Sequence, residues 1–142
     1  MPRSTKQRVL FLCTANAARS QMAEGLARAF HGEVIDAVSA GSRPAGWVHP
    51  DAIRAMAAIG VDINGARSKA AEEFLTDAFD AVVTVCDSAA QDCPRWPGAK
   101  RIEHWSIDDP AHVSDPAARY QRFVATRDEL ARRLEAFVRN LE

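Results

Sequence analysis

Along the chain, short apolar runs alternate with segments whose apolar residues recur every three or four positions. Residues 9–12, Val-Leu-Phe-Leu, read as a buried strand that runs straight into Cys13. Met22, Leu26, Ala29 and Phe30 then fall on one helical face, which predicts a helix over 20–30, stopped by His31-Gly32. A second strand is expected at 34–40, followed by a loop over 41–46. His49-Pro50-Asp51 opens a second helix, because Pro50 sits where its missing N–H costs nothing. That helix passes through Ile53, Met56 and Ala57 to Gly60. Residues 61–63 read as extended and 68–74 as a short helix. The run 81–85 predicts a third strand and 100–104 a fourth. From 115 to 141, Phe123, Leu130, Leu134, Phe137, Val138 and Leu141 recur between charged residues, the mark of a long amphipathic helix. Alternating strands and helices imply an α/β sandwich of three layers around a four-stranded, mostly parallel sheet. Ligands of such sheets sit beyond the carboxyl ends of the strands, where Cys13 and Cys86 both fall.

Composition narrows this picture only modestly. The 142 residues make one domain, 1–142, with enough chain for a real core. A formal net charge of −1 provides no global field to recruit nucleic acid or an acidic membrane. No apolar run approaches the ~18 residues of a membrane span, and the run behind the basic N-terminus is too short for a signal-peptide core. The default expectation is therefore a cytoplasmic monomer. Three cysteines in a reducing compartment argue for chemistry or metal binding rather than a structural staple.

The chemistry concentrates in Cys13-Thr14-Ala15-Asn16-Ala17-Ala18-Arg19-Ser20. A loop between a strand end and a helix start gathers backbone N–H groups without intrahelical partners, and the helix dipole adds partial positive charge. Such a place suits a tetrahedral oxyanion and favours a thiolate over a thiol. Arg19 can close the cradle with a planar fork that holds two oxygens. A lone cysteine at a strand end is more often a small packing residue. The short loop free of bulky side chains and the Arg-Ser ending favour a nucleophile here. Asn16 suits a left-handed backbone within the loop. Ser20 is placed to donate to the Cys13 sulfur, or to cap the first helix.

Two more thiols follow. Cys86 ends the third apolar run and Cys93 comes seven residues later, across the small, polar stretch 87–92. Seven residues of helix span about 10 Å, whereas the Cα atoms of a disulfide lie within about 7 Å. A bond between this pair would require the segment to unwind or fold back. Zinc is the competing use, with three Cys and His104 as a legal ligand set. Against it, no close Cys-x2-Cys pair exists and Cys13 would have to leave its cradle. Plain packing residues are the other alternative. Asp108-Asp109-Pro110 is a good turn sequence and also offers a carboxylic acid; residue chemistry alone does not separate Asp108 from Asp109.

The loop 13–20 with the following Gln21-Met22-Ala23-Glu24-Gly25 resembles the phosphate loop of low-molecular-weight protein tyrosine phosphatases. It resembles still more closely the thioredoxin-coupled arsenate reductases of the same fold. Val83-Thr84-Val85-Cys86 and Cys93-Pro94 look like the two additional cysteines of those reductases, and 103–111 looks like their acid loop. The resemblance runs in order from Val9 to about Arg127. It implies a phosphatase-like fold and arsenate as substrate, with phosphate or sulfate as mimics. Oxyanion contacts would come from Thr14, Ala15, Asn16, Ala17, Ala18, Arg19 and Ser20, with Cys13 as nucleophile and Asp109 as the acid. The implied relay passes oxidation from Cys13 to Cys86 to Cys93, and external thioredoxin resets it. No cofactor or metal is implied for catalysis, and glutaredoxin or another thiol could stand in for thioredoxin.

Some reductases of this type hold a potassium ion near the loop, which would fall at Asn16, Glu24 and Ser39. Here Lys69 stands where a further acidic ligand is expected, so its ammonium is expected to replace the cation. Ala111 stands where the phosphatases commonly carry an aromatic, which favours a small inorganic oxyanion over phosphotyrosine. Two other functions remain in view: a phosphatase using only Cys13, Arg19 and Asp109, and a non-catalytic oxyanion or arsenite sensor. No basic helix-turn-helix pattern supports the latter.

Overall fold

The computed structural model describes residues 6–85 and 99–141. The expectations attached to Cys86 and Cys93 lie outside the described residues. The described elements are β1 (Gln7–Cys13), α1 (Arg19–His31), β2 (Ile35–Gly41), α2 (Pro50–Ala57), β3 (Phe79–Thr84), β4 (Ala99–His104) and α3 (Pro116–Arg139). Single 3-10 turns lie at Ala71–Phe74 and Pro110–His112. The α/β class expected from the alternation holds.

The sheet runs in the order β2-β1-β3-β4, with every pair parallel. β1 is central and its residues Val9 to Cys13 are buried, which explains its unbroken apolar run. The order reverses at β1: the chain steps to β2 on one side and later to β3 on the other. Such a reversal opens a crevice at the carboxyl ends of the strands. Cys13 is the last residue of β1, and Thr84 at the end of β3 pairs with its neighbour Leu12.

α1, α2 and α3 pack against one another. Their core joins Met22, Leu26, Met56, Phe123, Leu130 and Leu134 to the apolar residues of β1 and β3. Gly25 sits inside α1, where glycine costs about 1 kcal/mol against alanine. A Cβ there would meet Ile63 Cγ2 at 2.8 Å and Met56 Cε at 3.1 Å, so its absence lets α1 approach α2 and the 61–63 segment.

The expected second helix stops at Ala57 rather than Gly60, and Gly60 turns the chain at φ +80°. The short helix expected over 68–74 shrinks to Ala71–Phe74. Lys69 is instead held by its backbone, donating to Asn16 Oδ1 at 2.7 Å and accepting from the Gly41 N–H at 2.8 Å. Among the described residues, no helix is long and apolar enough to cross a membrane.

Candidate active site

β1 delivers Cys13 to the floor of a cavity of about 150 Å³, lined by Ala15, Ala17, Ala18, Arg19, Ala45, Trp47, His49, Asp109 and Ala111. The loop around it is held from outside. The carbonyls of Cys13, Thr14, Ala15 and Ala17 accept from the N–H groups of Ser42, Arg43, Ala45 and His49 at 2.8–3.2 Å, and Ser68 Oγ donates to the Ala15 carbonyl at 3.1 Å. With these carbonyls turned outward, the N–H side of the loop faces Cys13. The Asn16 N–H donates to its sulfur at 3.2 Å. Gly41 makes this double layer possible, because a Cβ there would lie 2.5 Å from the Thr14 carbonyl oxygen.

Asn16 is the pin of the loop. It is fully buried and takes φ +50°, the left-handed conformation expected for it. Its amide donates to Ser20 Oγ at 2.8 Å and Ser39 Oγ at 2.9 Å. Its Oδ1 accepts from Lys69 N and from Gln21 Nε2 at 2.9 Å. Ser20 Oγ lies 2.8 Å from the Cys13 sulfur. Because that oxygen already accepts from Asn16, its own proton is directed at the sulfur, which stabilises a thiolate. The capping role considered for Ser20 is not the one taken. Ala18 is the N-cap and offers no side-chain acceptor, so nothing from that cap competes for the N–H groups of the first turn.

Arg19 closes the site from the acid loop. Its Nη1 donates to the Ile107 carbonyl at 2.8 Å, and Nη2 lies 3.5 Å from Asp109 Oδ2. Its side chain is 11% exposed, and Nε is buried with no hydrogen-bond partner. A buried guanidinium N–H is costly to leave unmade, and an oxyanion in the cradle would satisfy it. Asp109 lines the Cys13 cavity, whereas Asp108 faces a separate groove with Ser106, Arg122 and Glu129. That placement separates the two carboxylates that residue chemistry could not. Asp109 Oδ1 accepts from the Ala111 N–H at 2.9 Å, which caps the 3-10 turn. Its Oδ2 also lies 3.4 Å from His112 Nε2.

Behind the loop, Ser39 donates to Glu24 Oε1, and Lys69 Nζ lies 3.5 Å from the same oxygen and 2.8 Å from the Arg67 carbonyl. Burial lowers the Lys69 pKa, with the Glu24 charge opposing. A metal cation does not fit beside Glu24, because the Lys69 ammonium already supplies the positive charge there.

Trp47, His49 and His112 carried no functional signal in the sequence. Trp47 is half exposed and stacks on His49 with ring centroids 5.5 Å apart; His49 stacks in turn on Phe123 at 4.6 Å. His49 Nδ1 accepts from the Asp51 N–H at 3.0 Å and so caps α2. Burial lowers its pKa. Only the Trp-Val-His-Pro order marked this corner, and it reads equally as helix punctuation.

The family described as low molecular weight phosphotyrosine protein phosphatase matches residues 8–142. The arsenate reductase of Halalkalibacterium halodurans is 40% identical over 133 residues, 93% of this chain and 95% of that protein. A solved arsenate reductase in the phosphate-binding state superimposes with a TM-score of 0.83 at 32% identity, over 96% of this chain and 99% of that one. A thioredoxin-dependent arsenate reductase of Corynebacterium glutamicum superimposes with a TM-score of 0.74 at 29% identity, over 99% of this chain and 66% of that one.

Proposed function

The chain belongs to the low molecular weight phosphotyrosine protein phosphatase family, and on that premise we propose that it reduces arsenate to arsenite through Cys13, Cys86 and Cys93, with thioredoxin as reductant. Arsenate enters the cradle of loop N–H groups and the Arg19 fork. The Cys13 thiolate attacks arsenic; an S–As bond forms, an As–O bond breaks, and Asp109 protonates the departing oxygen, which leaves as water. Cys86 then attacks the Cys13 sulfur. The S–As electron pair passes to arsenic, which falls from the +5 to the +3 state and leaves as arsenite. Cys93 attacks Cys86, frees Cys13 and carries the disulfide to Cys86–Cys93. Two electrons from thioredoxin restore the thiols by ordinary exchange.

The observation that carries this reading is the floor of the cavity: a thiol receiving the Ser20 proton, opposite a buried guanidinium N–H with no partner. The relatives' named activity gives the oxyanion its identity. A phosphatase is the second reading, favoured by the aromatic rim of Trp47 and His49, which suits an aryl ester.

Arsenate-dependent NADPH oxidation, coupled through thioredoxin and its reductase, separates the two. The reductase reading expects turnover in the native protein and its loss in Cys86→Ser and Cys93→Ser, with equal rates in sodium and potassium buffers because Lys69 stands in for the cation. Ester hydrolysis retained by both variants, without any arsenate-dependent oxidation, would favour the phosphatase.

A further inference from the structure

Asp109 is held at three points, and only one of them faces solvent. Oδ1 is tied to the Ala111 N–H. Oδ2 stands between Arg19 Nη2 at 3.5 Å, inside the cavity, and His112 Nε2 at 3.4 Å, whose side chain is 84% exposed. The backbone of Pro110–His112 sets this spacing: a one-turn 3-10 segment puts residues 109 and 112 on one side, with Asp109 as its cap.

We propose that His112 is a positioning residue that holds Asp109 and returns a proton to it in each catalytic cycle, an inference that rests on the acid role given to Asp109 above. An ordinary carboxyl is almost wholly ionised near neutral pH, so an acid that must donate in every turnover needs a supply. An ordinary imidazole still carries a proton over part of that range. In the first chemical step the Asp109 O–H bond breaks and its proton goes to the departing oxygen. The new carboxylate takes the proton on His112 Nε2, and the imidazole is recharged from water or buffer. No electrons move in this exchange. Arg19 does not serve as the source, since a guanidinium does not give up its proton in proteins.

The charged groups around this corner are few. Arg19 and His112 meet Asp109 directly. His49 senses the Asp109 charge across the cavity. From α3, Arg119 reaches the carbonyls of Val113 and Ser114 at 3.4 Å and pairs with Asp51 at 3.0 Å. Among these, His112 alone joins a titratable ring to both Asp109 and solvent.

The test uses His112→Ala and His112→Gln in the coupled arsenate assay and, in parallel, on hydrolysis of an alkyl phosphate ester, which needs the same proton. Both variants are expected to lose about 5-fold in turnover near pH 8 and under about 2-fold near pH 6. Free imidazole is expected to restore His112→Ala, and the rate of that variant should rise with buffer concentration. A loss equal at both pH values, with no imidazole or buffer response, would overturn the inference and leave His112 a surface contact. A native protein that cleaves the ester but shows no arsenate-dependent oxidation would refute the reductase reading while the ester arm still decides on His112. Absence of both activities would sink the two together.

Discussion

The two sides of the Cys13 cavity are built in opposite ways. On one side the loop 13–20 is fixed by a double layer. Four of its carbonyls bond outward, Asn16 is buried with every amide atom engaged, and Gly41 lets a second strand-end lie against it. On the other side Asp109 is held by one short hydrogen bond and two ion pairs at 3.4–3.5 Å, at the start of a single 3-10 turn. The difference follows the chemistry. Stabilising developing negative charge requires donors already in place, since reorganising them during the reaction would forfeit the gain. A proton donor must instead be recharged in every cycle, which requires access to solvent.

Breaking the fixed side is expected to have the larger effect. In Gly41→Ala the added methyl overlaps the Thr14 carbonyl, so the loop or β2 must shift. A loss of about 2 kcal/mol in denaturant stability is expected. Displacement of the cradle should also lower kcat/KM by more than about 10²-fold. Native stability and rate would show that the two layers are not in the contact described. Breaking the adjustable side acts on rate alone. Asp109→Asn keeps an oxygen for the Ala111 N–H but carries no proton to give. Turnover should fall about 10²-fold with the denaturant midpoint almost unmoved. A variant at full rate would remove Asp109 from the mechanism.

The same contrast decides how much was legible in the sequence. The cradle is contiguous: Cys13, Asn16, Arg19 and Ser20 lie within eight residues, and strand-loop-helix order alone puts their groups around one point. The sheet was equally readable, because β1 is buried on both faces and its apolar run is unbroken. β3 starts at Phe79, two residues before its apolar run, because Asp80 interrupts the pattern; its carboxylate accepts from the Arg8 N–H of β1 at 2.8 Å. The short helix expected at 68–74 gave way to bonds between Lys69 and the loop, a long-range contact that local propensity does not encode. Choosing Asp109 over Asp108 from the residues alone needed the fold, and so did His112. Trp47 and His49 join the site only because residues 41–49 are drawn against residues 13–17.

The relay itself is tested most directly by peptide mass mapping of the reduced protein after a single turnover with arsenate and no thioredoxin. Trypsin leaves Cys13 in peptide 9–19 and both Cys86 and Cys93 in peptide 70–95. The account predicts that peptide 70–95 becomes lighter by two hydrogens and resists alkylation, while peptide 9–19 is alkylated. Three alkylated cysteines with arsenate left unreduced would contradict it.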